Sequence, residues 1–113
     1  MKALNFNTIQ QPTWPVTLKD EDQTTVHLTA PSVELVDRLV AMAPELEEAS
    51  KTKDGRVVHK CYELVAKVMS CNEAGMQITA EELRDRYKLT FVELLMLVNG
   101  YMEFIAEIKN AKN

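Results

Sequence analysis

The chain has 113 residues, enough for one modest core and too few for two. Thirteen Lys and Arg against seventeen Asp and Glu give a formal net charge of −4 and a pI near 5.2, the opposite of the basic footprint that phosphate binding requires. Met1-Lys2 leads into the mixed run ALNFNTIQQPTW, and no later segment approaches the roughly 18 consecutive apolar residues of a membrane span, so a soluble, cytoplasmic protein is expected.

Residues 1–13, with Gln10-Gln11-Pro12 and a weak alternation at Leu4 and Phe6, read as an N-terminal arm or a short edge strand. A β-hairpin is expected over residues 14–30. Val16 and Leu18 share one face, Val26 and Leu28 repeat the pattern, and the acidic connector DEDQ has hairpin length. Ser32 is the natural N-cap of a first helix, with Leu35, Val36, Leu39, Val40, Met42, Ala43 and Leu46 on one side and Asp37, Arg38 and Glu45 on the other. Pro44 should kink or restart this helix, because it donates no amide and crowds the preceding turn.

The polar run SKTKDGR reads as a loop. A second helix is expected from about Arg56, with Val57, Val58, Cys61, Leu64, Val65, Val68 and Met69 on its apolar half. His59, Lys60, Glu63 and Lys67 cover the other half, and Gly75 stands at the C-terminal cap. Cys61 and Cys71 lie ten residues apart on that predicted helix, at different azimuths, and read as reduced thiols rather than a disulfide or metal pair.

Two capping boxes set the boundaries of the last two helices. In Thr79-Ala-Glu-Glu82 the threonine hydroxyl accepts from an orphan amide while the glutamate reaches back, and Ile78 can staple onto Leu83. Thr90-Phe-Val-Glu93 repeats the device, with Leu89 before it and Leu94 four residues after the cap. A third helix therefore starts at Thr79 and stops near Lys88, and a fourth runs to about Lys109. The whole is α+β and mostly α: a short hairpin followed by a bundle of about four helices, spanning residues 32–109 of a single domain.

Two helices joined by a tight turn over residues 78–101 have the outline of a DNA-reading helix-turn-helix, but the chemistry is wrong. The fourth helix offers Glu93, Glu103 and Glu107 to phosphates, and Asn99 alone would face base edges. Its apolar arc spans roughly 200°, where a surface helix needs little more than 100°. Leu97, Phe104 and Ile108 lie at the edge of that arc beside Glu93, where a small domain has least to cover them. They are the predicted protein-interaction residues, for a client or a second copy of the chain.

Catalytic chemistry finds no foothold in the pattern. His27 and His59 lack a nucleophile and carboxylate set, and His59 with Glu63 is one helical turn of surface pair rather than a metal site. Asp20, Glu21 and Asp22 lack the spacing and central glycine of a calcium loop, and three glycines in all leave no phosphate-cradling loop. Neither catalytic residues nor a cofactor or metal are expected.

Residues 62–108 resemble the tail assembly chaperones of long-tailed phages and prophages of Gram-positive bacteria. In that family a helix ending in Ser-x-Asn-x-x-Gly is followed by Ile-Thr, a short acidic helix, and a last helix with Tyr-Met-x-Phe-Ile. The corresponding residues here are Ser70, Asn72 and Gly75, then Ile78-Thr79, then Tyr101-Met102 and Phe104-Ile105. The stretch TVHLTAPSVELVDRL is similar too, whereas Met96-Leu97-Val98 replaces the expected aromatic pair and Pro44 is a second departure. The resemblance implies a non-enzymatic protein that keeps the tape measure protein soluble and assists tail tube assembly in the host cytoplasm, absent from the mature virion. Its implied partners are the tape measure protein and the tail tube protein, with neither nucleic acid nor membrane. A head-tail connector that stays in the virion is the alternative.

Overall fold

A computed structural model describes residues 12–52 and 55–110; the arm predicted upstream of Pro12 lies outside the described residues. β1 (Trp14–Thr17) and β2 (Thr25–Leu28) pair antiparallel, with Trp14 opposite Leu28 and Val16 opposite Val26. The even-numbered positions turn inward: Val26, Leu28 and Leu18 are buried and Val16 is half-buried. The acidic connector closes on itself. The Asp20 carboxylate accepts the Thr24 amide (2.8 Å) and hydroxyl, and the Gln23 amide donates to the Asp20 carbonyl with φ at 49°.

α1 (Val33–Thr52) starts where expected, its first turn capped by the Ser32 hydroxyl, which accepts the Leu35 amide at 3.2 Å. Two expectations about this helix are corrected. It does not restart at Pro44 but runs on through it and through the first residues of the supposed loop, because Pro44 is exposed and its missing hydrogen bond falls on the solvent side. Its buried face is also narrower than drawn: Leu35, Leu39 and Leu46 are buried with Met42 beside them, while Val40 is 56% exposed and Ala43 is exposed. Among the named elements α1 packs chiefly on α2, and the stripe it turns there is the one most fully covered.

α2 (Gly55–Met69) is the middle of the core. Cys61, Leu64, Val65, Ala66, Val68 and Met69 are buried, and α1, α3 and β2 all lie against it. The helix ends at Met69, six residues before Gly75, because Ser70 and Asn72 compete for the backbone. The Ser70 hydroxyl donates to the Ala66 and Ile78 carbonyls and accepts the Ile78 amide; the Asn72 side chain donates to the Met69 and Met76 carbonyls and accepts the Met76 amide. Gly75, at φ 70°, closes this turn rather than capping the helix. The turn then lies alongside β2. Thr29 donates to the Cys71 carbonyl (2.9 Å) and Glu73 to the His27 carbonyl (3.0 Å), which occupies the far edge of the hairpin.

Both capping boxes form. Glu82 Oε1 accepts the Thr79 amide and Thr79 Oγ1 the Glu82 amide, each at 3.1 Å; Glu93 and Thr90 repeat this at 2.8 and 3.2 Å. The predicted third helix is a single widened turn, with π winding over Glu82–Arg86 and the Tyr87 amide reaching back five residues to the Glu82 carbonyl. Wider winding brings residues four apart toward one azimuth, and Leu83 and Tyr87 are both buried. Lys88, at φ 51°, ends it and lets the Leu89 amide fold back on the Leu83 carbonyl. α3 (Phe91–Asn110) comes immediately after.

Candidate functional site

Leu97 and Phe104, expected at an uncovered edge, are each only 7% exposed, and Ile108 is half-buried against the core. The correction has a definite cause. The hairpin lays Trp14 across α3, with its ring 6.4 Å from the centroids of both Tyr101 and Phe104, the latter two 6.0 Å apart. Gly100 makes this approach possible: a Cβ there would stand 2.6 Å from the Trp14 ring. The surplus apolar arc of α3 is therefore answered within the chain by a residue more than eighty positions upstream. A glycine in mid-helix, followed by Tyr101 and Phe104, was the available signal.

The positions that carry the family resemblance meet at one joint. Ser70 and Asn72 shape the turn after α2, that turn pairs with β2, and the Tyr101 hydroxyl donates to the Thr29 carbonyl at 2.8 Å. Phe104 completes the aromatic cluster. These residues fasten the hairpin to the helices, which is a packing role.

The reactive side chains are held apart. Cys61 is buried, and desolvation pushes its thiol up to about 11; Cys71 lies beyond the end of α2, half-buried and raised by the same cause. Both are free thiols. Burial, and secondarily the charge of Cys71, raises the Tyr101 hydroxyl well above its ordinary value. His59 Nε2 sits 2.8 Å from Glu63 Oε1 in the expected exposed pair, and His27 is exposed on β2. Among the described residues no three His, Cys, Asp or Glu side chains gather as a metal site. No helix of the described residues is long and apolar enough to cross a membrane.

Among the described residues, two apolar surfaces remain uncovered. On α3, Val92 and Met96 are 65% and 67% exposed, and Met96 borders an open groove of about 360 Å³ between β1 and α3, floored by Val16, Leu18 and Leu97. Lys19 Nζ stands 2.6 Å from Glu93 Oε1 beside this groove and ties the hairpin to the capping box. On α1, Val33 and Val40 are 79% and 56% exposed. Arg38 lies on a different side of α1, with Lys60 and Lys67 along the α1–α2 cleft. The sequence assigns Val40 to the core side of the first helix, whereas Val33, Val92 and Met96 belong to none of the apolar faces read from it.

No known protein family matches the chain, and neither the curated proteins nor the solved structures contain a match to it.

Proposed function

We propose that the chain is a non-enzymatic phage tail assembly chaperone, which binds the tape measure protein in the bacterial cytoplasm and assists assembly of the tail tube around it. The observation that carries this reading is the joint. Asn72, Tyr101 and Phe104, three of the residues that suggested the family, converge on the contact between hairpin and helices, and Ser70 shapes the turn that carries Asn72 there. A motif scattered over more than thirty residues thereby acquires a common structural reason. The uncovered valines of α1 and the Met96 groove of α3 are the kind of apolar surface a protein-binding role needs.

The test is co-expression with a tape measure protein, whose gene this reading expects next to that of the chain. The tape measure protein is expected in the soluble fraction only when the chain is present, and immunoblots of purified virions are expected to lack the chain. A tape measure protein that stays insoluble, together with the chain at stoichiometric level in virions, would replace this reading with that of a connector.

A further inference from the structure

We infer that residues 4–8 of this chain dock as a third strand on the open edge of β1 and fill the groove between β1 and α3. The hydrogen-bond pattern fixes what that edge offers. The Leu18 amide donates to the Thr24 carbonyl at 2.8 Å, so in the β1–β2 register Trp14, Val16 and Leu18 turn their backbone groups to β2. The intervening residues turn theirs the other way: the Pro15 carbonyl and the amide and carbonyl of Thr17 face outward, where no strand pairs with β1 among the described residues. Pro15 has no amide to leave unpaired, which suits it to such an edge. On β2 the outward groups are taken, the His27 carbonyl by the Glu73 amide and the Thr29 amide by the Cys71 carbonyl. One edge of the hairpin is closed and the other is open.

An open strand edge beside a helix is met by an extended chain, because main chain supplies donors and acceptors at the spacing the edge presents. Connectivity, register and charge select the segment. The described chain begins at Pro12, two residues before Trp14, the first residue lining the groove, so the eleven residues upstream are joined to the chain at the groove itself. A loop of five residues over 9–13, within hairpin range, sets Thr8 opposite Trp14, and then Phe6 falls opposite Val16 and Leu4 opposite Leu18. Residues directly opposite share a face, so both apolar side chains enter the groove of about 360 Å³ beside Met96 and Leu97, and Asn5 exchanges two main-chain bonds with Thr17. Charge agrees with this choice. Lys19 and Glu93, the two charged residues that line the groove, are spent on each other at 2.6 Å, and residues 3–11 carry no charge. The assignment stands apart from the client-binding reading; under that reading a client reaches the Met96 side of the groove only by displacing the arm.

Amide hydrogen exchange, read by NMR on the full chain and on Leu4→Ser with Phe6→Ser, is the test. The Thr17 amide is expected to exchange about tenfold or more slowly in the wild type than in the double variant, while the amide of Val65, in the middle of α2, exchanges alike in both. A synthetic peptide of residues 1–11 added to the double variant should restore the protection of Thr17 saturably, and the same peptide carrying both serines should not. A Thr17 amide that exchanges as fast in the wild type as in the double variant would overturn the assignment, and so would protection that survives both substitutions. Sedimentation of the wild type separates the remaining arrangement. Protection that appears only as the chain dimerises would place the arm on the β1 edge of a second copy and overturn docking within one chain.

Discussion

Gly100 shows how one missing methyl group decides which surfaces meet. In an exposed helix interior, alanine is favoured over glycine by about 0.8–1.0 kcal/mol, so Gly100→Ala would ordinarily stabilise α3. Here its Cβ would stand 2.6 and 2.7 Å from two Trp14 ring atoms. Gly100→Ala is therefore expected to lower the melting temperature and to red-shift the emission of Trp14, the sole tryptophan, while the same change made on Trp14→Ala should stabilise. A melt of the four proteins in that cycle checks it; additivity would show that ring and glycine do not interact. Phe104→Ala belongs at this scale too. As a buried ring beside Trp14 and Tyr101 it should cost about 3–5 kcal/mol. Lys88 holds a left-handed backbone that costs an L-residue about 1–2 kcal/mol, so Lys88→Gly should raise the denaturation midpoint in urea. The aromatic contact escaped sequence reading because nothing local couples Trp14 to Gly100, whereas the Lys88 turn is dictated directly by the next cap at Thr90.

The elements that were legible are those written in short-range chemistry. Threonine and glutamate three residues apart predicted both capping boxes, and both form with the predicted partners. Period-two alternation gave the hairpin and Ser32 gave the start of α1. Thr90→Ala should cost about 0.5–2 kcal/mol, seen as a melt lowered by several degrees, because α3 loses an acceptor for its first amides. Glu93 adds a pH dependence to the same cap. Lys19 chiefly, then the Thr90 amide, holds its carboxyl below the ordinary 4.5. A depressed folded value stabilises above the unfolded one, so the contribution is present above about pH 4.5 and is lost as pH falls through the folded value. Urea unfolding between pH 6 and 3 should show Glu93→Gln losing less stability than the wild type across the acid part of that range. Illegible were the elements decided by competition. The end of α2 is set by Ser70 and Asn72 capturing backbone groups, and the π winding at Glu82–Arg86 by the burial of both Leu83 and Tyr87.

Across the molecule, the hairpin is joined to α3 by contacts that span most of the chain: Lys19 with Glu93, Tyr101 with the Thr29 carbonyl, and Trp14 over Gly100. Sequence patterns declare which residues are apolar, but which apolar face covers which is settled by these long closures, and so Leu97 and Phe104, expected at an uncovered edge, are buried. The same closures impose an order in time. A ribosome releases the hairpin first and α3 last, so Trp14 waits, unpaired, for almost ninety residues of synthesis before its platform exists. Contacts separated by 72 and 74 positions are slow to find and reward the chain only at the end. A nascent chain arrested before Phe91 should therefore show the emission of a solvent-exposed tryptophan, and release of α3 should shift it to the blue in one step. For a protein proposed to shield another's apolar helix, its own biogenesis contains the same interval of exposure, ended by its own last helix.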